Sequence, residues 1–125
     1  MSRILVVDDD PISLDLLSNA LGKAGYDVST ATDGWQACRI LEREQFDALI
    51  TDEIMSAMNG LELCRFAREL GLELPIILIT SLDEQLFQTE LRDEFGIVAV
   101  LAKPIVPPLL LYILDASLQT LAAGQ

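Results

Sequence analysis

Polar side chains with chemical capacity stand at the ends of short apolar runs in this sequence. Ile4-Leu5-Val6-Val7 ends in Asp8-Asp9, Asp47 to Thr51 runs into Asp52, Pro75 to Ile79 ends in Thr80-Ser81, and Lys103 follows Ile97 to Ala102. If the runs are parallel strands they end on one edge of a sheet, and these groups converge there. Carboxylates sharing a site repel one another and require compensation. A hard divalent cation with oxygen ligands supplies it, and Mg2+ suits a site with few protein ligands and several waters. Lys103 adds a compact positive charge able to pair with a carboxylate or phosphate oxygen, and Thr80 adds a hydroxyl donor. A carboxylate nucleophile, a metal, a cation and a hydroxyl are the parts of a phosphoryl-transfer site. Taken singly, each residue has an ordinary explanation. An aspartate at a strand end is commonly a helix cap, and Asp10 is expected to be one. The joint pattern is what points to chemistry.

The elements that must position these groups follow from spacing. Ile4 to Val7 reads as a buried parallel strand. Asp10-Pro11 then starts a helix, with an N-cap and a proline at the first helical position, and Gly25 closes it. Ile12, Leu16, Leu17, Ala20, Leu21 and Ala24 recur along it at helical spacing. Asp27 to Ala31 is a second strand, and Asp33-Gly34 opens a helix with Ala37, Ile40 and Leu41 on its inner face. Asp47 to Thr51 is the third strand, followed beyond Asn59-Gly60 by a helix from Leu61 to Glu69. Pro75 to Thr80 is the fourth strand, Asp83 to Glu94 a helix, Ile97 to Ala102 the fifth strand, and about Pro108 to Leu121 the last helix. Strand and helix alternating in this way predict an α/β fold with a doubly wound five-stranded parallel sheet.

Composition bounds the rest. The 125 residues fit one domain spanning 1–125, and 51% of them are hydrophobic, enough for a packed core. The formal net charge is -12, with no basic residue beyond Lys103, so direct binding to nucleic acid is not expected. Histidine is absent, which removes Ser–His and Cys–His nucleophile pairs and the usual zinc site. No apolar run approaches the ~20 residues of a membrane span, and the first residues do not form a secretory signal. A cytoplasmic protein is expected. Cys38 and Cys64, in segments read as helices, are expected to be reduced and partly buried.

With these residues in view, the chain resembles the response-regulator receiver domains of two-component signalling. Ile4 to Pro11 is similar to the family's first strand and acidic pair, and Asp47 to Asp52 to its phosphoacceptor strand. Met55, Met58 and Gly60 match the loop that follows, and Pro75 to Ser81 and Leu101 to Pro104 match the last two motifs. The resemblance covers essentially the whole chain. It implies a flavodoxin-like (βα)5 fold with strand order 2-1-3-4-5. It also implies that Asp52 accepts a phosphoryl group from a histidine kinase or phosphotransfer domain. Asp9 and Asp52 would bind Mg2+ directly and Asp8 through water, with the backbone carbonyl of Ile54 as a further ligand. Thr80 would hydrogen-bond the phosphoryl group and Lys103 would pair with its oxygens.

The sequence also departs from the family pattern. Ser56 stands where the family usually has proline, Ile105 where phenylalanine is frequent, and Val100 where the family has its aromatic switch residue. Ile54 and Leu82, two places after Asp52 and Thr80, are apolar where fast-hydrolysing members carry polar groups, so a slowly hydrolysing aspartyl phosphate is expected. In the last helix Leu110, Leu111, Leu114, Leu118 and Leu121 share one face, expected to cover the sheet. Leu109, Tyr112, Ile113 and Ala116 are then expected on the opposite side, and with Val100 they form a candidate contact surface for a second copy or an output domain. Two alternatives are a degenerate receiver that docks without phosphate and a haloacid-dehalogenase-type phosphatase. The phosphatase needs a further acidic pair after the lysine, and only Asp115 follows Lys103.

Overall fold

The computed structural model describes residues 2–53, 55, 58–81 and 90–123, those at 90–92 and 120–123 by backbone alone. Five strands, β1 (Arg3–Val7), β2 (Asp27–Ala31), β3 (Ala48–Asp52), β4 (Ile76–Thr80) and β5 (Ile97–Ala102), alternate with helices. The helices are α1 (Pro11–Lys23), α2 (Gly34–Arg43), α3 (Gly60–Glu69), α4 (Glu90–Phe95) and α5 (Pro107–Ala123). All strand pairs are parallel and the order is β2-β1-β3-β4-β5. The predicted boundaries of β2 and β5 are met, and the others shift by a residue or two. The helix expected over Asp83 to Glu94 is described from Glu90 on and ends at Phe95.

Because side chains alternate along a strand, the sheet sends one set to each face. Leu5, Val7, Leu49, Ile76 and Leu78 meet α2 and α3, where Ala37, Cys38, Leu41, Leu63, Cys64 and Ala67 are buried. Ile4, Val6, Ile50, Ile77 and Ile79 meet Leu14, Leu17 and Leu21 of α1 and Leu110 and Leu114 of α5. Both cysteines are therefore fully within the first core rather than partly exposed.

Two expectations about helix faces are corrected. On α1, Ile12 and Leu16 are exposed while Leu14 is buried. At ~100° per residue the stripe through Leu14, Leu17 and Leu21 points at the sheet and Ile12 and Leu16 lie opposite it. On α5, Leu110 and Leu114 are buried and Leu109 and Tyr112 exposed, as expected. Ile113 is instead partly buried against the α1–α5 core. It lies only ~60° around the helix from Leu110, on the flank of the buried face. Among the described residues no helix is long and apolar enough to cross a membrane.

Candidate functional site

The site lies where β1, β3, β4 and β5 end. Asp8 follows β1, and its main-chain N–H donates to Ala31 O at 3.2 Å. The chain then turns into α1, whose N-cap is Asp10: Oδ1 of Asp10 accepts from Ile12 N at 3.1 Å, and Pro11 occupies the first turn. Inside that turn the Asp10 N–H donates to Asp8 Oδ1 at 2.9 Å, so the start of the helix also orients the Asp8 carboxylate. Asp52 is the last residue of β3, in register with Ile79 of β4. Thr80 closes β4 opposite Ala102 of β5, and its carbonyl accepts the Lys103 N–H at 2.9 Å. Each functional residue is thus delivered by a strand register.

The carboxylates of Asp8, Asp9 and Asp52 offer ligand oxygens that all lie within 4.8 Å of one another. Asp8 and Asp52 are buried and Asp9 is exposed. Lys103 Nζ donates to Asp52 Oδ2 at 2.8 Å and stands 3.7 Å from Asp8 Oδ2. Thr80 is fully buried at the neighbouring strand end, and Ser81 is exposed. The structure therefore brings Asp8, Asp9, Asp52 and Lys103 into one cluster with Thr80 beside it. Ile54 and Leu82 lie outside the described residues.

The electrostatics show a deficit of positive charge. Burial pushes the Asp8 carboxyl up, with the Asp52 charge adding, against the Asp10 N–H and Lys103, which favour its ionised form. Glu53 is also buried, and burial together with Asp52 raises it. For Lys103, burial works against the ammonium. The hydrogen bond and charge of Asp52, joined by Asp8 and Asp10, outweigh it and raise the group overall. One ammonium therefore faces several carboxylates. A donor set of carboxylate oxygens with surplus negative charge fits a hard divalent cation of the Mg2+ type.

Three supporting residues show their part in the site only in the fold; in the sequence Gly60 is marked by its match to the loop motif and Gly34 by the start of a helix. Glu53 adds a buried carboxylate beside Asp52. Gly60 opens α3 with its N–H on Glu53 O at 2.8 Å, and a Cβ there would stand 2.4 Å from Asp52 O. Gly34 is packed against Met58, whose Cβ would be 2.6 Å from an added methyl. Asn59 is legible too: with Glu62 it forms a capping box that fixes the start of α3.

Of the five residues proposed for a contact surface, Leu109, Tyr112 and Ala116 are exposed, Val100 packs partly against the α2–α3 core, and Ile113 packs partly against the other. Val100 and Ile113 are thus only partly open to a partner. A groove of about 390 Å3 lies elsewhere, beside the site, lined by Ser13, Leu16, Lys103, Pro104 and Ile105.

Residues 4–115 match the family model described as the response regulator receiver domain. The alkaline phosphatase synthesis transcriptional regulatory protein PhoP of Bacillus subtilis is 37% identical over 105 residues, 84% of this chain and 43% of that protein. The sensor histidine kinase RcsC of Salmonella typhi is 39% identical over 120 residues, 95% of this chain and 12% of that protein. The chain thus spans less than half the length of these relatives. Among solved structures, a CheY-like response regulator receiver domain protein from Methanospirillum hungatei JF-1 superposes with a TM-score of 0.92. It is 28% identical, covering 100% of this chain and 99% of that one.

Proposed function

The chain belongs to the response regulator receiver domain family, and from that membership we propose that it is a phosphoacceptor switch with Asp52 as the acceptor. The observation that carries the reading is the pairing of Asp52 with Lys103 at 2.8 Å inside a cluster of three carboxylates. An Asp52 carboxylate oxygen would form the new P–O bond as the P–N bond of a phosphohistidine breaks, the donor being a histidine kinase or phosphotransfer domain. Asp9 and Asp52 would hold Mg2+, with Asp8 acting through water and the Ile54 carbonyl as a further ligand. Bound there, the ion would offset the charge that accumulates on the acceptor and phosphoryl oxygens. Lys103, already on Asp52, would keep one phosphoryl oxygen paired after transfer, and the Thr80 hydroxyl would donate to another.

The domain would be a signalling device rather than a turnover enzyme, its own chemistry confined to self-phosphorylation and slow loss of the phosphoryl group. A cytoplasmic location follows from such a partner. The groove beside Lys103, with exposed Ile12 and Leu16 along α1, offers the donor an apolar surface next to the acceptor. Exposed Leu109 and Tyr112 on α5 offer a separate surface to an output domain or a second copy.

The test is incubation with acetyl phosphate and Mg2+, read by intact mass. One phosphoryl group per chain is expected, and none in Asp52→Asn, which should keep the wild-type circular dichroism. Unchanged uptake by Asp52→Asn would sink the assignment. No uptake by wild type would point to a docking module, and continuous release of phosphate to a phosphatase.

A further inference from the structure

Arg68, in the last turn of α3, has no carboxylate partner among the described ion pairs and is spent instead on main-chain carbonyls. Its Nε donates to Phe95 O at 2.6 Å and one terminal nitrogen to Gly96 O at 3.2 Å. The other terminal nitrogen donates to Leu72 O and Leu74 O, both at 2.9 Å. Phe95 and Gly96 form the junction from α4 into β5, and Leu72 and Leu74 lead into β4. Gly96 turns there at a φ of 64°, a conformation that favours glycine, directly under the guanidinium. A single planar fork therefore joins the beginnings of two neighbouring strands.

Those strands are the ones whose far ends carry Thr80 and Lys103. Their register is poorly protected by sequence. Strand registers are normally set because a one-residue slip turns polar side chains into the core. Every residue of β5, Ile-Val-Ala-Val-Leu-Ala, is apolar, so a slip meets no such penalty. β5 is also an edge strand, and its pairing with β4 shifts at the outset: Ile76 pairs with Ile97 but Ile77 with Ala99. The irregularity lies immediately beyond the segment Arg68 holds.

We propose that Arg68 is a positioning residue for the acceptor site: by tying the start of β5 to the start of β4, it fixes the register that brings Lys103 to Asp52. A slip of one residue moves a strand by about 3.3 Å. That exceeds the whole 2.8 Å reach from Lys103 Nζ to Asp52 Oδ2, so the pairing depends on the register being right. Lysine at position 68 would keep the charge but, as a point donor, could not bridge the segments as the planar fork does. The chemical consequence rests on the acceptor reading of Asp52, whereas the register claim does not.

Two measurements on the full chain separate them. Hydrogen exchange reads the register directly, because the Lys103 N–H is held by Thr80 O, while the Glu53 N–H is held by Ile79 O across β3 and β4. In Arg68→Ala the Lys103 amide should exchange at least about tenfold faster with Glu53 unchanged, the expected scale for one lost charge-assisted bond. If Arg68→Ala does not fold, Arg68→Lys should show the same selective change in smaller degree. Equal acceleration at both amides, or none at either, overturns the proposal. The second measurement is a double-mutant cycle on acetyl phosphate uptake. Arg68→Ala should slow uptake about tenfold in the wild-type background and have no further effect in Lys103→Met. Equal losses in both backgrounds mean that Arg68 does not act through Lys103, and overturn the proposal. Absence of uptake in wild type would remove the acceptor reading while leaving the exchange result to decide the register.

Discussion

Gly60→Ala adds one methyl group at the tightest point behind the acceptor. Placed on the observed backbone, the new Cβ would stand 2.4 Å from Asp52 O, 2.9 Å from Leu78 Cδ1 and 3.0 Å from Glu53 Cα. The leucine methyl can turn aside, but the other two atoms are main chain and move only if β3 or α3 moves. The first turn of α3 must back away, stretching the 2.8 Å bond from Gly60 N to Glu53 O. Overpacking of this kind costs typically 1–3 kcal/mol, and about 2 kcal/mol is expected here because the clash is with backbone. Gly22→Ala is the matched control. Gly22 is exposed on α1 and an added Cβ there meets nothing within 4 Å. It should gain about 0.5–1 kcal/mol from reduced backbone entropy and better helix propensity. Urea unfolding followed by circular dichroism measures both. Acetyl phosphate uptake should also slow in Gly60→Ala, since displacement of Asp52 O shifts the acceptor, and stay unchanged in Gly22→Ala. If Gly60→Ala is as stable as wild type within about 0.5 kcal/mol, the steric reasoning is wrong.

Asp9→Ala removes the exposed carboxylate of the cluster, so Mg2+ binding should weaken about tenfold or more with little change in unfolding midpoint; an unaltered titration would show that Asp9 is not a ligand. Burial pushes the Cys38 thiol up to about 11 and that of Cys64 up to about 12. At pH 8 the thiolate fractions are then roughly one in a thousand and one in ten thousand. Iodoacetamide should label neither cysteine in the native protein at pH 8 and both in urea, and rapid native labelling would contradict the packing of the α2–α3 core.

What the sequence reveals of this molecule divides by the kind of signal. Polar residues closing apolar runs are conspicuous at Asp8, Asp9, Asp52, Thr80 and Lys103: each alone has an ordinary explanation, but together they close four strands whose ends converge on one edge of a parallel sheet. Alternation of strand and helix then fixed the sheet type. The face of α1 was not legible: Ile12 and Leu16 are spaced as a helical stripe, and so are Leu14, Leu17 and Leu21, and nothing local says which stripe the sheet will cover. Similarly, Ile113 and Leu109 both lie off the centre of the α5 stripe, and the apolar pattern does not say which flank is partly covered.

Steric and main-chain requirements leave less trace still. Gly60 needs to be glycine because of the carbonyl of Asp52, an atom every residue possesses, so its neighbourhood has no compositional mark. Arg68 is the stronger case. An arginine in the last turn of a helix is ordinarily placed there by the helix dipole, and that reading accounts for the residue type at this position. Its four partners are backbone carbonyls, one of them on the last residue of the next helix in the chain and one just beyond it. Any sequence would present carbonyls at 72, 74, 95 and 96, so no side-chain pattern can announce the bond. The one indirect sign is negative: β5 lacks the polar–apolar alternation that would set its own register. A strand that must deliver a lysine to within hydrogen-bond reach, yet carries no register signal of its own, has to be held from outside.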